Sequence, residues 1–244
     1  MGLPRFYFAT NTLALFIVLL STTMAFQGRL VTRKLLQRPA FATNSVRTFQ
    51  SATKEEVDPG VVEGTDLRVL KYPHPLLRAE NALITEEELK DGSISSIAKE
   101  MFRVMYAAEG VGLAAPQVGI NKRLMVYNES GDRKKWLDEV VMVNPIITEF
   151  SEALDVETEG CLSFPDMNGA VERSKWIKVE ALNLNGKKIK KKFKGWEARI
   201  FQHEYDHLDG VVYIDRFLPE SKEEVKQRLS ELVDEFDRSI GETA

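Results

Sequence analysis

His203-Glu204-Tyr205-Asp206-His207 places two imidazoles four residues apart, with a carboxylate directly after the first. On a helix, positions i and i+4 share a face, so both rings can grip one ion at about 2.0–2.1 Å each. Glu204 then lies near the coordination position left open, where it can handle a proton of bound water. The context favours this reading over a solvated, charged helix face. Trp196, Ala198, Ile200 and Phe201 make the preceding stretch largely apolar, and Gly210 supplies a C-terminal stop. Two of the three histidines in the chain occupy these positions. A catalytic centre needs a third protein ligand and an open fourth position. Downstream, Glu220, Glu223 and Glu224 are available; upstream stands Cys161, in Glu159-Gly160-Cys161-Leu162-Ser163-Phe164-Pro165. A lone cysteine is by default a small buried hydrophobe, and as the single Cys of the chain it excludes an intramolecular disulfide.

The elements that must hold these residues follow from periodicity. Ile97, Met101, Val104, Met105 and Ala108 mark one face of a helix over 93–108, ended by Gly110 and Gly112. Leu124–Tyr127 and Val140–Val143 read as short strands. Trp176–Leu184 alternates and leads into Asn185-Gly186, a hairpin-turn signal that makes Lys187–Phe193 the partner strand. Gly195–Leu208 is the helix carrying both histidines, and Val211–Ile214 reads as a strand beyond it. The C-terminal segment opens with Pro219, and Ser221 and Glu224 form a capping box that starts a helix. Its apolar stripe is Val225, Leu229, Leu232, Val233, Phe236 and Ile240. The fold class is α+β: short antiparallel sheets packed around a central metal-binding HExxH helix, with a C-terminal helix. Asp and Glu other than Glu204 read as solvated charges. His74, between Pro73 and Pro75, reads as an early loop residue rather than a ligand.

The chain's net charge of −4 conceals a split. Residues 1–54 carry seven basic residues and no acid; the rest holds 26 of the 33 basic residues against all 37 acidic ones, or −11. The apolar run Leu13–Leu20 is short for a membrane span, which needs about 20 residues. With Arg5 before it and Thr23-Met24-Ala25 after it, the run has the form of a signal peptide over residues 1–25. Residues 26–62 are arginine- and hydroxyl-rich and begin acid-free, the composition of a transit peptide. Residues 63–244 then form one catalytic domain. Signal followed by transit peptide resembles the bipartite leaders of algal plastids of secondary origin. A mitochondrial leader or a secreted protein with a basic pro-segment are the alternatives. No stable membrane association is expected after processing.

Three blocks together resemble the peptide deformylase family, in its bacterial and plastid subgroup. They are Gly110-Val111-Gly112-Leu113-Ala114-Ala115-Pro116-Gln117, the Glu159–Pro165 block with its Leu162, and Gln202–Gly210. The likeness runs from about Leu67 to about Leu218; Asp166 stands where Gly is common and Ser174 where Pro is common. The resemblance implies Cys161, His203 and His207 as ligands of one divalent ion, Fe(II) first and Zn(II) as the alternative. It makes Glu204 the group that accepts a proton from the attacking water and passes it to the leaving amine. The Gln117 amide and the Leu162 backbone N–H become donors to the oxyanion, each such donor being worth roughly 3–4 kcal/mol. Val111 and Gly112 become backbone contacts for the substrate, in strand-addition style. The implied activity is hydrolysis of the formyl amide on N-formylmethionyl nascent peptides of an organelle, releasing formate.

Transient ribosome association fits that substrate. A remainder at −11 shows no general nucleic-acid footprint, so no direct nucleic-acid binding is expected. The lysine-rich strand 187–194 reads as an exposed sheet edge, with ribosomal RNA as its other candidate contact. Two rival functions remain to be discriminated. A zincin-like endopeptidase would cleave unblocked protein, and its third ligand would not be an upstream thiolate. A non-catalytic metal- or ribosome-binding module would need neither Glu204 nor Gln117.

Overall fold

The computed structural model describes Gly60 and residues 62–243; the leader expectations for residues 1–25 and, apart from Gly60 and Val62, 26–62 lie outside the described residues. Two helices come first, α1 (Glu86–Lys90) and α2 (Ser93–Ala107). Three strands follow: β1 (Gly112–Ala114), β2 (Leu124–Tyr127) and β3 (Val140–Phe150). A hairpin, β4 (Leu154–Gly160) and β5 (Asn168–Ser174), precedes a second one, β6 (Trp176–Leu182) and β7 (Lys188–Lys194). The chain closes with α3 (Gly195–Leu208), α4 (Pro219–Glu224) and α5 (Lys226–Thr243). Five strands form an antiparallel sheet in the order β1-β2-β3-β6-β7; β4 and β5 pair separately, Gly160 opposite Asn168.

Alternation along β2 explains the layering. Leu124 and Val126 turn to one face of the sheet, where they pack with Leu113, Val143 and the α2 residues Met101, Val104 and Met105. Met125 and Tyr127 turn to the other, against Met142, Ile177, Phe193 and the α3 residues Ala198 and Phe201. A strand buried on both faces reads as an unbroken apolar run, which is what Leu-Met-Val-Tyr is. A third cluster joins Cys161, Phe164 and Met167 to Val212, Tyr213 and Phe217, then to Val225 and Leu232 of the C-terminal segment. Among the described residues no helix is long and apolar enough to cross a membrane.

The α+β expectation holds, with antiparallel sheets and a C-terminal helix; three local readings are corrected. Val211–Ile214 is not a strand, since Tyr213–Asp215 forms a 3-10 turn whose aromatic ring is needed in the third cluster. The capping box at Ser221 and Glu224 does not form. The helix begins earlier, at Pro219, and the Ser221 hydroxyl accepts instead from the Ala170 N–H of β5 at 2.9 Å. A break at Val225 divides the expected single helix into α4 and α5. Both departures from the family pattern also have local reasons. Asp166 sits at φ +59°, where glycine is favoured. The Ser174 N–H donates to Gln202 Oε1 at 3.1 Å, a bond that proline cannot make.

Candidate metal centre

Helix α3 carries His203 and His207 one turn apart, with ring centroids 5.2 Å from each other. Cys161 follows β4 directly, in a turn closed by the Phe164 N–H on the Cys161 carbonyl at 2.9 Å. That turn brings Cys161 Sγ to 3.3 Å from His207 Nε2. One ligand atom from each of Cys161, His203 and His207 lies within 4.8 Å of the others. A thiolate at about 2.3 Å and imidazoles at about 2.0–2.1 Å from a tetrahedral ion stand roughly 3.5 Å apart, so the trio fits one ion. Glu220, Glu223 and Glu224 lie on α4 and are not members of this group.

The ring of His203 is oriented from behind. Its Nδ1 meets Glu159 Oε2 at 2.9 Å, which turns Nε2 toward the other two ligands. Glu159 is 2% exposed and is held by charge. Arg173 donates Nε and Nη2 to its two oxygens at 2.6 and 2.9 Å, and Arg199 Nη1 adds a third bond at 2.7 Å. Burial alone would raise the Glu159 carboxyl, but Arg173 and His203 outweigh it and hold the group well below the usual carboxylate range. Burial likewise disfavours a charge on His203, yet its bonds to Cys161 and Glu159 prevail and raise its pKa well above the ordinary value. His207 goes the opposite way: burial, reinforced by the neighbouring His203 charge, keeps it neutral and free to ligate.

Glu204 is 4% exposed, and its Oε2 has no hydrogen-bond partner among the described residues. Burial raises its pKa to about 7, against some lowering by His203 and Arg173. A buried carboxyl with its Oε2 unpaired among the described residues is what an adjacent cation and water would satisfy. Gly112 makes room for it: a Cβ there would collide with the Glu204 carboxylate. Gly110 similarly lets the β1 segment pass Leu162, whose Cδ1 would stand 2.7 Å from an added Cβ.

Gln117 lies on a 3-10 turn, Ala115–Val118, and is 1% exposed. The Ala114 N–H donates to its Oε1 at 2.8 Å, which fixes the amide so that Nε2 faces Cys161 Sγ at 3.6 Å and Ser163 Oγ at 3.3 Å. The Leu162 carbonyl accepts from Lys71 Nζ at 2.9 Å. β1 is an edge strand. Because the Val111 carbonyl accepts from the Asn128 N–H at 2.8 Å, alternation presents the N–H and C=O of Gly112, not the Val111 carbonyl, to the open side.

The sequence reading missed the second layer. Glu159 and Asp206 are buried, not solvated, and Arg173 and Arg199 are buried with them. Arg199, Gln202, His203 and Asp206 fall at i, i+3, i+4 and i+7 of α3 and share a face. That polar stripe was the available signal.

Cys161, His203 and His207 form a buried group that could hold one metal ion, with the buried carboxyl of Glu204 next in sequence to His203. Residues 66–223 match the family described as polypeptide deformylase. The chain is 43% identical over 175 residues to peptide deformylase 1B, chloroplastic, of Oryza sativa subsp. japonica; the match covers 72% of this chain and 64% of that protein. It is 38% identical to the peptide deformylase of Thermotoga neapolitana, covering 68% of this chain and 95% of that one. A crystal structure of peptide deformylase from Plasmodium falciparum superposes with a TM-score of 0.68 at 38% identity, over 70% of this chain and 98% of that one. The chain belongs to the polypeptide deformylase family, and its match spans less than two thirds of the length of the rice relative.

Proposed function

We propose that this protein is a metal-dependent hydrolase that removes the formyl group from N-formylmethionyl nascent peptides, releasing formate. The convergence of Cys161, His203 and His207, with the buried Glu204 carboxyl whose Oε2 has no partner among the described residues, carries the reading. In it, those three residues hold one divalent ion, Fe(II) in the first instance, as the family resemblance implies, and Zn(II) as the alternative; the thiolate makes the donor set softer than three imidazoles. A bound divalent ion supplies Lewis acidity and lowers the pKa of a coordinated water from about 15.7 toward about 7.

Glu204 accepts a proton from the attacking water and returns it to the departing amine, which leaves poorly as an anion. Its pKa of about 7 in the metal-free protein is pulled down by a neighbouring cation, so the base form is available at neutral pH. The Gln117 amide, already turned toward Cys161, and the Leu162 N–H donate to the oxyanion that develops on the formyl oxygen. The free N–H and C=O of Gly112 pair with the peptide backbone in strand addition, with Val111 flanking that contact.

The test is formate release from formyl-Met-Ala-Ser. Glu204→Gln is expected to lower turnover by about 10²–10⁴-fold with metal content retained; unchanged turnover would refute the assignment. We place the protein in a plastid, after a signal peptide over 1–25 and a transit peptide over 26–62. The chloroplastic relatives and the acid-free, basic stretch 1–54 support that placement.

A further inference from the structure

A chain of ion pairs runs outward from His203 to the surface. Glu159 meets His203 Nδ1 and accepts two bonds from Arg173, whose remaining edge, Nη1, donates to Asp206 Oδ2 at 2.8 Å. Asp206 is gripped from its outer side by Arg216, Nη2 to Oδ1 at 2.8 Å and Nε to Oδ2 at 3.2 Å. Side-chain exposure falls steeply along this path, from 50% at Arg216 to 9% at Asp206 and 4% at Arg173.

Two features make the outer end matter to the inner one. The Arg173 guanidinium is a rigid plane shared between two carboxylates, so it cannot move toward one without loosening its fork on the other. A cavity of about 440 Å³ also opens beside Arg173, Asp206 and Arg216. Asp206 is therefore not clamped by close packing on that side, and its orientation depends on the two arginines that hold it.

We propose that Arg216 is a positioning residue for the metal centre, acting through Asp206, Arg173 and Glu159 on the ring of His203. The inference rests on the metal-centre reading above. Without Arg216, Asp206 keeps a single arginine and draws Arg173 toward itself. The two-bond grip on Glu159 weakens, and Nε2 of His203 is held less firmly toward Cys161 and His207. Direct partners of a metal-bound histidine are typically worth about 10–100-fold in metal affinity, so a residue acting at the far end of the relay is expected to be worth about 3–10-fold.

The experiment measures Co(II) affinity by chelator competition, together with the visible Co(II) absorption, for the full-length protein and three variants. Arg216→Met removes the outer clamp, and Arg216→Lys keeps its charge without the fork. Arg78→Met is the control: it removes a two-bond pair to Asp215, at 2.7 and 3.0 Å, that lies beside Arg216 in sequence but outside the relay. The expected result is a 3–10-fold weaker affinity and a shifted Co(II) spectrum for Arg216→Met. Arg216→Lys should recover part of both, and Arg78→Met should behave as wild type. Wild-type affinity and spectrum in Arg216→Met would overturn the proposal, as would an equal change in Arg78→Met. Failure of the wild-type protein to take up Co(II) would instead overturn the metal-centre reading itself.

Discussion

Glu204 combines three facts at one residue: burial, an unpaired oxygen, and a pKa raised to about 7 from the ordinary 4.5. A carboxyl whose pKa is raised in the folded state favours folding fully below the unfolded value. That advantage is lost as pH rises through the folded one. In the metal-free protein the loss therefore falls between about pH 4.5 and pH 7 and amounts to about 3 kcal/mol, at about 1.4 kcal/mol per unit. Glu204→Gln has no proton to lose. It should be more stable than wild type by about that amount at pH 8 and close to equal at pH 4.5, as measured by urea unfolding after metal removal. A pH-independent difference would contradict the burial argument. The same residue shows how far sequence could reach. The pattern of His203, Glu204 and His207 was legible because its chemistry demands particular residue types at fixed spacing; Cys161 entered only through the family resemblance of its block. Glu159 and Arg173 were not legible, because a buried ion pair across the two strands of a hairpin leaves no period along either strand.

At the scale of elements, legibility followed amphipathicity. β2, β6, α2 and α3 announce themselves because their apolar residues face a core. The β4–β5 hairpin does not, since its pattern is inverted. Leu154 and Val156 are about half exposed, whereas Glu159 on the same strand is buried, so a reading of apolar residues as inward has nothing to follow. β7 is an outer strand of the sheet, as its lysines suggested. Lys190 pairs with Glu180 and Lys192 lies over the Trp176 ring, 3.5 Å from its centroid, so these lysines cover the face of the hairpin as well as charging its edge. Replacing Lys188, Lys190 and Lys192 by Thr should leave turnover of formyl-Met-Ala-Ser unchanged. Light scattering should show stronger concentration-dependent association. Loss of turnover without association would contradict the edge-protection reading.

The whole molecule joins an acid-free, basic N-terminal stretch to a remainder at −11. The family match begins at residue 66, beyond that stretch, so the basic stretch and the family region are separable in sequence. A fluorescent protein fused after residue 60 should be delivered to a plastid in an alga with secondary plastids. Retention in the cytosol would contradict the targeting proposal and leave the chemistry untouched. The two proposals agree in substance, because an organelle of bacterial descent starts its proteins with formylmethionine.

The most direct test of the account is formate release from formyl-Met-Ala-Ser by protein loaded with Fe(II) without oxygen, then stripped by chelator, then reloaded. The account predicts one formate per peptide consumed, loss of release when the ion is removed from Cys161, His203 and His207, and recovery on reloading. Release that persists in the stripped protein, or none from the loaded one, would contradict it.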